Sequence, residues 1–258
     1  MTAARSFVGA HHHFNILKAD IDHYLEQKPY QVVVDRPADR TYVVRVDNAP
    51  DIPAEEWGLV VGDCVHCIRA ALDYVAWRLA GSVAGDRQTQ FPIFDTRAGW
   101  TANHERRVGR MKPEAQAILE KGQPFNAPDP NRAGLTAIRI LDDADKHKLI
   151  TVVAAMPTHF SAVWAVAGRP ATPIRMEINH RAVLSGNTVI ATFEFADTPS
   201  EMKIQTYLSP DIAFGSGLFN IKQNVAVVGS LSAMLSEATA IVDLFENRVE
   251  LFQSGPLS

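Results

Sequence analysis

Only two cysteines, Cys64 and Cys67, occur in 258 residues, and they lie three positions apart. A disulfide scaffold of the secreted kind is excluded by that count and spacing. No run approaches the roughly 18 consecutive apolar residues that a spanning helix needs. The apolar stretch before His11 is too short for a signal sequence. The expected location is therefore the cytoplasm, with no membrane partner. Neither sign of charge dominates: 25 Lys and Arg stand against 29 Asp and Glu, a formal net charge of -4. Strong non-specific nucleic-acid binding needs clustered Lys and Arg, so the balance gives no strong nucleic-acid signal, though it leaves room for a local basic groove. Also missing are a phosphate-binding P-loop, the Rossmann glycines, an H-E-x-x-H helix and a nucleophile elbow. Gly215-Ser216-Gly217 offers an anion-binding turn on two glycines alone.

What remains is a chain with 47% hydrophobic residues, an ordinary globular composition. Phe14, Leu17, Ile21 and Leu25 fall at helical spacing, and Pro29 ends that helix. Gln31–Arg36 and Thr41–Asp47 read as a hairpin across Pro37-Ala38-Asp39-Arg40. A long helix opens after Asp51-Ile52-Pro53, with Glu55 and Glu56 in its first turn, and closes at Gly81. Residues 85–130 are irregular, with short helices near 98–110 and 113–120, and a segment this long in a compact fold covers something. A helix over 131–147 follows, then strands over 149–155, 161–167, 174–184, 188–195 and 202–208. Ser185-Gly186-Asn187 marks a hairpin turn. A last helix spans 221–245. The expected fold class is α+β: one domain over 1–258, with an antiparallel sheet of five to seven strands packed on three long helices, near 54–80, 131–147 and 221–245.

Two helices carry the chemistry. At 100° per residue, Val61, Val65, Ile68, Leu72, Val75 and Leu79 form one apolar arc. Opposite it lie Asp63, His66, Arg69, Ala70, Asp73 and Trp77, a face that lacks the lysines and glutamates of free surface. In the second helix Leu135, Ile138, Asp142, Asp145 and Leu149 share one stripe, so two carboxylates continue an aliphatic line. A buried carboxylate costs several kcal/mol unless it meets a cation, a metal or several donors. Arg69, His66, Lys146 and His147 are the available partners. The plain alternative is a structural ion pair, Asp145 with Arg69, that locks the helices together.

The run Gly62-Asp63-Cys64-Val65-His66-Cys67-Ile68-Arg69-Ala70-Ala71-Leu72-Asp73-Tyr74, with Phe91-Pro92-Ile93 and Asp145-Lys146-His147, resembles a group of uncharacterised bacterial proteins. Their shared features are a G-D-x-x-H-x-x-R-x-A-L-D-H helix, an F-P-I segment and a D-K-H helix end. The likeness covers roughly residues 55–150 and implies a common site at Asp63, His66, Arg69, Asp73, Asp145, Lys146 and His147. It implies no particular activity. A weaker similarity is to HEPN-type ribonucleases and nucleotide-binding proteins, whose motif is Arg-x4-His. Here Arg69 is followed five residues on by Tyr74, a poor base at neutral pH.

The leading expectation is an enzyme, a hydrolase or other acid–base catalyst, acting on a small polar or anionic molecule. His66 carries the proton, Asp73 or Asp63 orients it, Asp145 and His147 complete the catalytic set, and Arg69 and Lys146 clamp the anion. Trp77, with Phe91, Phe94, Trp100 and Phe125, supplies apolar lining. A binding or structural protein whose cluster is a closed salt-bridge network is the alternative, and a degenerate HEPN-like RNA- or nucleotide-processing domain is a third. A metal held by His66, Asp73, Asp142 and Asp145 ranks lower, because Arg69 on that face repels a cation. The cofactor is unknown, and a homo-oligomer is compatible with the composition.

Overall fold

Punctuation by proline and glycine, together with the period of buried side chains, sets the elements. The computed structural model describes residues 3–81, 89–146, 150–166, 169–179, 182–197, 202–215, 218–219 and 225–252. Helix α1 (Ala3–Glu26) starts well before Phe14, because Ala10, Leu17 and Ile21 form one buried stripe against the next helix. Strands β1 (Gln31–Ala38) and β2 (Thr41–Asn48) form the expected antiparallel hairpin. Helix α2 (Ala54–Leu79) follows Pro53 and closes before Gly81, whose φ of 57° suits a residue without Cβ. Helices α3 (Arg97–Val108) and α4 (Pro113–Lys121) and two single 3-10 turns occupy the irregular region. Helix α5 (Gly134–Asp145) is shorter than expected at both ends.

The strands depart from the single sheet that the sequence suggests. After α5 come β3 (Val152–Val166), β4 (Arg169–Pro170), β5 (Arg175–Ile178), β6 (Val189–Glu194) and β7 (Met202–Phe214), then α6 (Val227–Glu246). They form two antiparallel sheets, one of four strands in the order β1-β2-β6-β5 and one of three in the order β4-β3-β7. The runs at 149–155 and 161–167 join into β3, with a register shift opposite β7 between Ala155 and His159. Alternation explains the two layers. β2 buries Tyr42, Val44 and Val46, every second residue, and β6 buries Phe193. These rings meet Trp164 of β3, with the Trp164 and Phe193 centroids 4.4 Å apart. Each sheet thus hides an aromatic face in the other. Strand-forming runs are legible in a sequence; which run pairs with which is not.

Helices α1, α2, α5 and α6 pack together, and their core runs on through Val46, Ile190, Val152 and Phe214 into both sheets. By length and composition α6 is apolar enough to cross a membrane. Its Val227, Leu231, Met234, Leu235 and Val242 are buried in this core. The three longest helices are α1, α2 and α6, so α5 is not among them.

The start of α5 is fixed from outside. Its N-cap residue, Ala133, has no side chain to cap with, and the Gly134 and Leu135 N–H groups donate to the Glu237 carboxylate of α6 instead. A Cβ at Gly134 would lie 2.4 Å from Glu237 Oε2, so glycine is what lets the carboxylate in. Burial raises the Glu237 pKa, against the pull of those two N–H groups. Glu237→Ala is expected to cost about 1–2 kcal/mol in urea unfolding, with Glu237→Gln costing less, because the amide keeps one acceptor oxygen. An unchanged midpoint in Glu237→Ala contradicts this assignment.

Candidate functional site

The polar face of α2 changes character along its length. Asp63 and His66 are exposed, whereas Arg69, Ala70, Asp73, Tyr74 and Trp77 are half-buried. The cover is the extended Thr89–Phe94 segment, joined by the end of α5. Pro92 holds the residue before it, Phe91, away from helical backbone, which leaves the Phe91 N–H and C=O needing partners. Both come from α2. Arg69 Nη2 donates to the Phe91 carbonyl at 2.9 Å, and the Phe91 N–H donates to Asp73 Oδ1 at 2.7 Å. Arg69 Nη2 and Asp73 Oδ1 are 3.0 Å apart, one helical turn from each other. A closed ring of guanidinium, carboxylate and peptide thus fastens the segment to the helix. Burial raises the Asp73 pKa; the Arg69 charge and the Phe91 N–H act in the opposite direction, and Asp142 nearby adds to the rise.

On α5 the buried carboxylate is Asp142, whose side chain is 8% exposed and whose Oδ2 accepts from Lys146 Nζ at 2.6 Å. Asp145 does not take the inward place expected of it, nor does it pair with Arg69. It is exposed overall, with its carboxylate lying across the α2 backbone at Gly62. A Cβ at Gly62 would come 2.2 Å from Asp145 Oδ1, so this glycine permits the close approach of the two helices. The helical phase explains the exchange: both acids lie on the inward stripe, but α5 ends at Asp145, and its last turn emerges from the core. His147 lies outside the described residues.

Between these elements is an open cleft of about 370 Å³, lined by Ser6, His66, Arg69, Asp73, Trp77 and Lys146, with Ala70, Tyr74, Thr89 and Asp142 completing it. The structure therefore brings His66, Arg69, Asp73, Trp77 and Lys146 together, and leaves Asp63 and Asp145 out of the lining. Tyr74 and Trp77 are stacked, with centroids 6.1 Å apart. A smaller recess of about 200 Å³ lies on the other side of Arg69, Asp142 and Lys146, bounded by Arg107, Arg139 and the Gln90–Phe94 segment. Arg139 pairs with Asp95 at 2.8 Å, and Arg107 Nη1 donates to Gln90 Oε1 at 2.9 Å. Trp100 and Phe125 line neither space; Trp100 packs between Phe94 and Phe125. Ser6 was illegible because the first turns of α1 carry little apolar pattern. Arg139 was missed too, although its place one turn before Asp142 was a usable signal.

Among the described residues no group of three or more His, Cys, Asp or Glu side chains is placed to hold a metal ion. Arg69 and Asp73 are committed to each other and to the Phe91 peptide. The cationic or protonatable groups that face the cleft outside that ring include the exposed His66 imidazole and the Lys146 ammonium, which pairs with Asp142 and has a side chain 53% exposed.

No family model, no curated protein and no solved structure matches the chain.

The Asp73 shift has a definite sign. A carboxyl whose folded pKa is raised binds its proton more tightly in the folded state than in the unfolded one, so its contribution to stability falls as pH rises through the ordinary carboxylate range and flattens above the folded pKa. Urea unfolding between about pH 3 and about pH 7 is expected to show wild type losing stability relative to Asp73→Asn as pH rises. A constant difference across that range contradicts the burial of Asp73.

Proposed function

We propose that the α2–α5 cleft binds a small polar or anionic molecule and carries out acid–base chemistry on it, with hydrolysis as the reaction type. His66 is the proton carrier and Lys146 the anion contact. Trp77 and Tyr74 form an apolar wall, and Arg69 and Asp73 position the covering segment. The observation that supports this most is the convergence of an exposed imidazole, an ammonium and a stacked aromatic pair on one cleft of about 370 Å³. That volume lies within the range of small-molecule sites. An imidazole titrates near neutrality when unperturbed, which suits it to both giving and taking a proton. Asp63 and Asp145 are the weaker members of the expected set, because neither lines the cleft.

A second reading is a non-catalytic protein in which the charges serve only to join α2, α5 and the covering segment. The closed Arg69–Phe91–Asp73 ring, which ties the covering segment to α2, favours it. An HEPN-like reading has less support, since Tyr74, in the position of the second motif residue, is stacked on Trp77.

Thermal unfolding against inorganic phosphate, small mono- and dicarboxylates and nucleoside monophosphates separates the first two. At least one anion is expected to raise the wild-type Tm by about 2 °C or more at millimolar concentration. Lys146→Ala removes that shift, and His66→Ala abolishes turnover of chromogenic esters or phosphoesters while leaving the resting Tm near wild type. No stabilising anion and no turnover, or shifts that persist in Lys146→Ala, overturn the proposal.

A further inference from the structure

Strand β5 lies at one end of the four-stranded sheet, and among the described residues only β6 pairs with it. The phase of that pairing decides which backbone groups are left over. The Asn179 N–H donates to the Ile190 carbonyl, and the register pairs Arg175 with Glu194 and Glu177 with Thr192. Arg175, Glu177 and Asn179 therefore turn their backbone groups towards β6. Met176 and Ile178 turn theirs outwards, as does the Ile174 carbonyl; the Ile174 N–H is taken by Glu194. Side chains alternate between the faces in the other direction. Arg175 and Glu177 share one face as an exposed ion pair, while Met176 and Ile178 on the opposite face line an apolar groove of about 440 Å³ with Phe160, Trp164 and Phe193. Met176 is 57% exposed and Ile174 64%, an unusual load of open apolar surface for so short an edge.

We infer that this edge pairs with the same edge of a second copy of the chain, antiparallel and centred on Met176, so that the two four-stranded sheets become one continuous sheet. The strand is complementary to itself in this register. Met176 meets Met176 across the two-fold axis, with reciprocal N–H to C=O bonds, and the Ile178 N–H of each copy reaches the Ile174 carbonyl of the other. Arg175 falls opposite Glu177 in both directions, in the position where antiparallel side chains come closest, which makes an alternating four-charge ladder with the ion pair already present in each strand. On the other face Met176 and Ile178 from each copy cover the partner's exposed apolar groups beside the groove. A register shift of one residue would put Arg175 or Glu177 opposite Met176 and mismatch the faces. Four residues bury little area compared with a stable standard interface, so the dimer is weak and concentration-dependent.

Sedimentation velocity on the full chain tests this from about 10 μM to about 1 mM, the range where so small an interface populates a dimer. Wild type is expected to move from monomer to dimer. Arg175→Glu places two carboxylates opposite each other, and Glu177→Arg two cations; each is expected to weaken association at least about tenfold. The double exchange Arg175→Glu with Glu177→Arg restores the ladder with its signs reversed and brings association back to within about threefold of wild type. Both side chains are exposed, and unfolding curves verify that each variant is folded. A chain that stays monomeric throughout, including one that reserves β5 for a different protein, overturns the inference. So does a dimer indifferent to the single changes, or one that the double exchange fails to rescue.

Discussion

Backbone N–H and C=O groups with no partner in any sheet or helix have to find one, and both those of Phe91 are taken up by a single helical turn of α2. Arg69 and Asp73, one turn apart, present a donor and an acceptor at the spacing of one residue's C=O and N–H. An unpaired buried peptide group costs about 1–3 kcal/mol, so the clamp satisfies two such debts while neutralising its own charges. The rest of the site follows from it. The covering segment is held down, Thr89 reaches the cleft rim, the Gln90–Phe94 stretch bounds the smaller recess, and Arg69, Asp142 and Lys146 stand between the two spaces.

Two further contacts place α5 against that frame. Glu237 of α6 holds its first turn, and Gly62 of α2 lets the Asp145 carboxylate lie against the helix backbone at its last. Between these ends Asp142 is carried into the interior with Lys146 one turn on, so the ammonium meets the imidazole of His66 across a shared cleft. The charges here divide into two groups by their work. Arg69 and Asp73 are occupied in holding the covering segment to α2, and Asp142 pairs with Lys146 at the end of α5; His66 and Lys146 face the space between.

The helical period of α2 was legible to within a residue or two, and with it the composition of the polar face, because a 26-residue amphipathic helix repeats its signal over many turns. The β1–β2 hairpin was legible for the same reason at period two. The early start of α1 was not, since alanines and histidines give the pattern no contrast. Strand pairing was not either: the division into two sheets rests on contacts such as Trp164 with Phe193, far apart in the chain. Of the two carboxylates on one stripe, the sequence could not say which would be buried, because that depends on where α5 stops. The partner of Arg69 was hidden by a similar limit. An i, i+4 acid was visible at Asp73, but a backbone peptide as the third member leaves no trace in side-chain identity.

Hydrogen exchange at the Phe91 amide measures the clamp most directly. With Arg69→Ala, this amide is expected to lose roughly 10- to 100-fold of its protection, as the covering segment comes away from α2 by local opening. Amides in the buried stretch of α2 around Leu72 keep theirs. Phe91 protection equal to that of wild type would mean that the segment is held by something else, and the account of the cleft would fail with it.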